Sequence, residues 1–334
     1  MKTQNLKNTI KAIAKIVNKK NRLPILQNVQ IEDNFIYAAN ENIFLKLALP
    51  DDTLNTGYNL NFAEFKKATE MFENINYLGN EGNKVTFEAD GAKVKYSIYT
   101  LNSAFKTTED NYTPSYRIGP DLPKLETAVK FVSKDDLRPN VQHIAINNNN
   151  IISTNCHYLY FEPVFFETDA NILIKPEVIK VISDLNTSNW VIYEGKQYLQ
   201  FTDGKNIIWQ TIEKSNYPNW QAILPQSHKT EITANRKELI NEVKKAANFN
   251  SINLISLNAN GCLKVEAKDE GKEYSKQLKE YSKTGEDIEI GFNSGYLNDI
   301  LTELETETIN IQLTETTKAA IINHKFLLMP VKLS

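Results

Sequence analysis

An amphipathic helix followed by a pair of alternating strands occurs three times in this chain at nearly even spacing. The helices are FAEFKKATEMF (62–72), KPEVIKVISDL (175–185) and NSGYLNDILTEL (293–304), each with apolar residues at helical intervals. Their starts lie about 113 and 118 residues apart, which points to a structural repeat. Behind them come KVTFEADGAKVKYSIY (84–99), WVIYEGKQYLQFTDGKNIIWQTI (190–212) and TINIQLTETTKAAIINHKFLLMPV (308–331). ADGAK and TDGKN are Asp-Gly hairpin signals. Ahead of each helix lies another strand pair, interrupted by polar turns such as NNNN and NANG.

Leading helices open the units. Residues 4–18 put Leu6, Ile10, Ile13 and Val17 on one face and Lys7, Lys11 and Lys15 on another. Residues 235–248 turn Leu239, Ile240, Val243 and Ala247 inward, with Asn235 and Glu238 spaced as a capping box. In the second unit ETAVKFV reads as a strand, so SKDDLRP leaves room for one or two turns of leading helix. The order predicts an α+β fold, each unit an antiparallel sheet with helices on one face. Boundaries near YRIGPDLP (116–123) and LPQSHKT (224–230) divide the chain into 1–119, 120–230 and 231–334.

Charge is unevenly placed. Residues 1–31 carry Lys2, Lys7, Lys11, Lys15, Lys19, Lys20 and Arg22 before the first acid, Glu32. That segment is +7, so the chain's net −3 leaves −10 for the rest. Four arginines argue against extensive bidentate reading of bases. The chain has no run of about 18 apolar residues and no secretory h-region, and its two cysteines, Cys156 and Cys262, set no disulfide framework. These features imply a cytoplasmic protein with no membrane span.

Four segments, in this order and on this repeat, resemble the bacterial sliding clamp, the beta subunit family of the replicative DNA polymerase III. RLPILQNVQI resembles the family's Pro-Ile-Leu strand, and YPNWQAILP (217–225) its Phe-Pro-Asp-Tyr segment. IEIGFNSGYLNDIL (288–301) is similar to its Gly-Phe-Asn element, and FLLMPVKL (326–333) to its Met-Pro tail. The resemblance implies a DNA clamp fold: three tandem domains per chain and a ring of two chains joined head to tail. It implies a non-catalytic processivity factor without cofactor or metal. Such a ring encircles double-stranded DNA without reading sequence and tethers polymerase and clamp loader through short linear motifs.

Residues carried over from the family follow the same logic. A partner-peptide cleft would use Arg138, Val141, Thr154, His157, Leu159, Pro218, Ile223, Asn293, Tyr296, Leu327, Met329, Pro330 and Val331. An apolar recess with a few polar groups, including an adaptable Met, suits linear peptides. The other reading of the tail is that it only closes its own sheet; strand alternation permits both. Cys156 and Tyr158 stand where the family commonly has Gly and Arg, and Ala222 and Lys332 where Arg is frequent. Lys7, Lys11, Lys15 and Lys20 would face DNA, against the alternative of a merely solvated face. Tyr96 and Ile98 would meet Phe249 of the next chain, against the alternative that Phe249 is ordinary core.

Catalytic signatures are missing from the sequence. It has no Gly-rich phosphate loop, and His143, His157, His228 and His324 lack metal-ligand spacing. Cys156 and His157, read as neighbours on a strand, would point to opposite faces. The acid pairs Asp51–Asp52 and Asp135–Asp136 read as turns or caps. The competing class is a non-catalytic, β-rich interaction module that does not encircle DNA. It leaves the basic N-terminal helix and the Met-Pro tail without a joint explanation.

Overall fold

A computed structural model describes residues 3–49, 57–71, 75–98, 110–250 and 254–333. Asp51 and Asp52 lie outside the described residues. Six α-helices occur among them: α1 Thr3–Ile13, α2 Phe62–Met71, α3 Leu122–Phe131, α4 Pro176–Leu185, α5 Arg236–Ala246 and α6 Ser294–Glu303. They come two to a repeat. The chain divides into two compact units, one holding residues 1–129, 144–149 and 164–215, the other 130–143, 150–163 and 216–334.

The helix α3 corrects the expectation of a truncated second leading helix. ETAVKF is helix, not strand, because Leu125, Ala128 and Phe131 are all buried at a helical interval of three. The β-rich look of TAVKFV covers too few residues to outweigh that longer period, and Pro123 is harmless in a first turn. The helix α1 stops at Ile13, short of the expected Asn18, and continues to Val17 as turns.

In the first unit eight antiparallel strands make one sheet. Their order is Tyr58–Asn61, Asn28–Glu32, Phe35–Ala39, Ile43–Ala48, Ile207–Thr211, Tyr198–Thr202, Val191–Glu194 and Thr113–Arg117. The middle seam joins two repeats, Ile43–Ala48 against Ile207–Thr211. A separate three-stranded sheet holds Ile75–Glu81, Lys84–Ala89 and Ala92–Ser97. Its second turn is Asp90-Gly91 with φ of 47° and 84°, the left-handed pair that a two-residue hairpin needs.

In the second unit a run of seven strands begins with Asn150–Thr154, Tyr158–Pro163, Phe326–Leu328 and Ala320–Ile322, and continues with Thr308–Leu313, Thr230–Asn235 and Tyr281–Gly285. Here too the seam joins two repeats, Tyr158–Pro163 against Phe326–Leu328. A four-stranded sheet orders Lys272–Gln277, Lys264–Asp269, Leu254–Asn258 and Glu289–Asn293. α5 starts at the Asn235 cap, whose Oδ1 accepts the Glu238 N–H at 3.0 Å. The capping box is only half formed: the Glu238 carboxylate accepts from the Lys279 and Glu280 N–H groups instead of returning to Asn235.

Candidate functional site

The tail has two parts with different surroundings. Phe326, Leu327 and Leu328 are buried in register with Tyr160, Leu159 and Tyr158. Beyond them the chain leaves the sheet. The Met329 N–H donates to the His157 carbonyl at 2.9 Å, and the Val331 N–H to the Gly291 carbonyl at 2.8 Å. Gly291 is required at that crossing, since a Cβ there would lie 2.5 Å from the Val331 oxygen. Met329 and Val331 are consequently 38% and 39% exposed, and Pro330 is half-buried. Phe326–Leu328 close the sheet, and Met329–Val331 lie on the surface beyond it.

The turn before Tyr158 presents His157. The Asn155 Oδ1 accepts from the His157 N–H at 2.9 Å and the Tyr158 N–H at 3.0 Å. The Thr154 hydroxyl donates to the Tyr158 carbonyl at 2.6 Å and accepts the Cys156 N–H at 3.0 Å. Cys156 takes a φ of +74°, which favours glycine. This corrects the strand reading of Cys156 and His157: Asn155 and Thr154 bond their own backbone and make a turn there.

An aromatic ladder braces the exposed His157. Its ring stacks on Tyr296 at 5.4 Å and 18°. Tyr296 meets Tyr158 edge-on at 5.1 Å, and Tyr158 meets Phe131 edge-on at 5.1 Å. Burial, then the charges of Asp299 and Tyr296, push the Tyr158 hydroxyl up to about 12. Asn293 acts at one remove: its Oδ1 caps α6 by accepting the Tyr296 N–H at 3.1 Å, which fixes the start of the helix that carries the ring.

The segment 217–223 is nailed down by two aromatics. Trp220 is buried and lies 5.6 Å from the Phe161 ring. Tyr217 sits against the Thr154 backbone and Cys156, and burial, followed by the Cys156 charge, raises its hydroxyl well above the usual tyrosine range. Pro218 and Ile223 are left exposed, Ile223 by 49%. The Asn140 side chain donates to the Asn216 carbonyl at 2.9 Å and ties in the Arg138 loop. Arg138 is exposed and pairs with Asp135 at 3.7 Å. Asp135 and Asp136 accept from Leu137 N–H and Gln142 Nε2, as turn acids do.

The thirteen sequence-derived residues thus separate by role. His157, Pro218, Ile223, Met329 and Val331 are exposed, with Tyr296, Asn293 and Pro330 half-buried beside them and Arg138 on its loop. Val141, Thr154, Leu159 and Leu327 are buried and act as frame. The reading of single residues missed Tyr217, Tyr158 and Gly291 as organisers. Tyr217 had a signal, because its neighbours Pro218 and Trp220 mark a turn that needs an anchor.

The basic helix is less free than its sequence suggests. Lys11 and Lys15 both reach Asp184 of α4, at 2.6 and 3.5 Å. Lys7 and Lys20 are exposed. Elsewhere Tyr96 lies on Phe87 at 6.1 Å between ring centroids, Ile98 donates its N–H to the Asn83 carbonyl, and Phe249 lies 5.2 Å from Tyr274. Among the described residues no three metal-ligating side chains converge, and no helix is long and apolar enough to cross a membrane.

Residues 221–326 match the family model described as DNA polymerase III beta subunit, C-terminal domain. The beta sliding clamp of Rickettsia bellii is 22% identical over 377 aligned residues, covering 99% of this chain and 98% of the relative. That of Rickettsia felis is 21% identical with the same coverage. Along nearly its whole length the chain is thus similar to beta sliding clamps, at low identity. Its fold is the clamp fold: the DNA polymerase III beta subunit of Thermotoga maritima superposes with a TM-score of 0.89 at 17% identity, over 100% of this chain and 99% of that one. The Pseudomonas aeruginosa sliding clamp, solved with griselimycin, gives 0.86 at 18% identity over 100% and 98%. Because the full-length relatives align end to end, all three repeats take part in the match, including the region upstream of residue 221.

Proposed function

We propose that two copies of this chain close head to tail into a ring that encircles duplex DNA and tethers a polymerase to it. The observation that carries this is the rule by which the repeats join. The third strand of the first repeat, Ile43–Ala48, pairs with the last strand of the second, Ile207–Thr211. The third strand of the second repeat, Tyr158–Pro163, pairs with the last strand of the third, Phe326–Leu328. By the same rule the third strand of the third repeat, Lys272–Gln277, needs the last strand of a further repeat. Among the described residues, Thr113–Arg117 pairs into the second repeat, and the strand that ends the first repeat's own sheets still without such a partner is Ala92–Ser97. Both are outer strands of their sheets. A heterologous contact between them repeats until it closes, and three repeats per chain, 1–119, 120–230 and 231–334, make a six-repeat ring from two chains. Tyr96 and Ile98 then belong to one side of this junction and Phe249, through Tyr274, to the other.

A ring held on DNA by topology needs little phosphate affinity. A partly neutralised set of lysines at Lys7, Lys11, Lys15 and Lys20 suits sliding, because every phosphate neutralised adds to the strength and salt dependence of the grip. Partner proteins, the polymerase and the clamp loader among them, dock by short linear motifs on the apolar surface around His157, Tyr296, Met329 and Val331. The protein acts without catalysis of its own, in the cytoplasm. The test uses a nicked circular plasmid charged with the protein by the host's clamp loader and passed over a sizing column. The protein is expected to travel with the circle and to be lost once a restriction enzyme linearises it. Equal retention on both forms contradicts the topological reading.

A further inference from the structure

The second and third repeats use the segment between their third and fourth strands differently. In the third repeat it holds the strand Tyr281–Gly285, which pairs antiparallel along the outer edge of Thr230–Asn235, from Ala234 opposite Tyr281 to Thr230 opposite Gly285. The corresponding strand ahead of the second repeat is Thr113–Arg117, which likewise precedes a leading helix but, unlike Thr230–Asn235, ends its run of strands. The segment that would cover it forms no strand. Its ends are tethered instead: the Val164 N–H donates to the Asn149 carbonyl, the Phe165 N–H to the buried Asp121 carboxylate at 2.9 Å, and the Thr168 N–H to Asn149 Oδ1 at 2.7 Å. Asp121 is held in turn by the Tyr116 hydroxyl and by Lys124 at 2.8 Å. A groove of about 590 Å³ separates this loop from the edge, lined by Pro114, Tyr116, Arg117, Phe166, Val191 and Tyr193 among others.

The groove has the chemistry of a strand's seat with one end blunted. The Ile118 N–H bonds inward to the Trp190 carbonyl, so alternation turns the N–H and C=O of Arg117 outward. Pro114 has no N–H, a bulge interrupts the pairing beside Ser115, and the Thr168 hydroxyl reaches the Ser115 carbonyl at 3.4 Å. Main-chain pairing is therefore confined to the Arg117 end, and side chains must hold the rest. Phe165 and Phe166 are 63% and 57% exposed, with rings 4.8 Å apart and edge-to-face. An aromatic pair displayed on a tethered loop is the usual make-up of a contact surface. Arg117 is exposed, and among the described residues no carboxylate forms an ion pair with it. Glu167 lines the opposite wall, so an incoming acid is favoured only at the Arg117 end.

We infer that this groove is a second docking site, separate from the His157–Met329 surface, which takes an extended peptide segment with a bulky apolar side chain next to a carboxylate. The missing strand of the second repeat is supplied by the partner. The apolar side chain lies against Phe166 and Tyr193, and the carboxylate meets Arg117.

The experiment is fluorescence anisotropy on the full chain with a labelled octapeptide, Gly-Ser-Thr-Ile-Trp-Asp-Ser-Gly. Saturable binding is expected below about 1 mM. Arg117→Glu weakens it about tenfold, and the same peptide with Lys in place of Asp recovers binding on that variant. Phe166→Ala also weakens it about tenfold, while Met329→Ala leaves it unchanged. Both groove side chains are exposed, and unchanged thermal melts check that the variants are folded. The inference is overturned if the native chain shows no saturable binding, if neither groove variant weakens it, or if Met329→Ala removes it. Binding of labelled oligothymidylate, but not of the peptide, through Arg117 and Phe166 also overturns it.

Discussion

The strands that join repeats inside the chain and the strands left at its two ends differ in what they show to water. Tyr158, Leu159, Tyr160, Phe326, Leu327 and Leu328 are all buried at their seam, and Ile43, Leu45, Leu47 and Ile208 are buried at the other. At the ends Lys93, Lys95 and Ser97 are exposed on one strand, and Lys272, Glu273, Ser275 and Lys276 on the other. One joining rule thus has two chemistries. Where repeats join within the chain the joint is a hydrophobic core; the outer strands that the proposed ring would join between chains offer main-chain groups flanked by charged and polar side chains.

The largest effect should come from breaking a permanent seam. Phe326 is fully enclosed, 5.0 Å from Phe131 and 5.3 Å from Tyr160 by ring centroid. Phe326→Ala should cost about 3–5 kcal/mol of folding free energy in urea unfolding. A loss below 1 kcal/mol would show that the seam is not core.

Next is the joint between chains. The Ile98 N–H bonds inward to Asn83, and the Leu278 N–H inward to Leu263, so alternation turns the N–H groups of Lys95 and Ser275 outward. Lys95→Pro and Ser275→Pro each remove one outward donor and keep the inner ladder. Each should weaken chain association about a hundredfold, or ~2.7 kcal/mol, in sedimentation velocity, with circular dichroism unchanged. Phe249→Asp acts on the same side through Tyr274 and should also give folded monomers. Association as tight as in the native chain would remove this assignment.

A smaller effect separates the end strand from the seams by pH. Tyr274 on Lys272–Gln277 bonds to the Glu242 carboxylate, as does Lys245 at 2.7 Å. Burial works to raise the Glu242 carboxyl, but the hydrogen bonds from Lys245 and Tyr274 and the charges of Lys245 and Lys276 outweigh it and hold it below its ordinary 4.5. The unfolded chain therefore takes up that proton first. The stabilisation is complete above pH 4.5 and is lost as pH falls through the lower folded-state value. Glu242→Gln should flatten this acid limb in melts between pH 5 and about 3; an unchanged slope would put the acid response elsewhere. Least of all should come from the exposed pair Lys268–Glu273 at 3.0 Å, where Lys268→Ala should leave the urea unfolding midpoint unchanged; a clear shift would give the pair a structural role.

Much of this arrangement was legible in the sequence where periodicity is long. The helices α2, α4 and α6 fall within a residue or two of their expected spans, because ten residues hold enough turns to fix a period. The helix α3 was not legible from its second half, where β-branched and aromatic residues mimic alternation. The tail's division was half legible: alternation allowed a buried and an exposed part, but only the crossing at Gly291 shows where one gives way to the other. The joining rule was not legible at all, since alternation says which face of a strand is buried and nothing about which strand lies at its edge. The neutralising role of Asp184 was hidden for the same reason, lying about 170 residues from the lysines it meets.

Sedimentation equilibrium of the unmodified chain tests the two-copy ring most directly. A head-to-tail joint that closes after two chains predicts a single species of twice the chain mass, unchanged as the loading concentration is raised through the micromolar range. A single-chain mass across that range, or an open ladder of ever larger species, would contradict it.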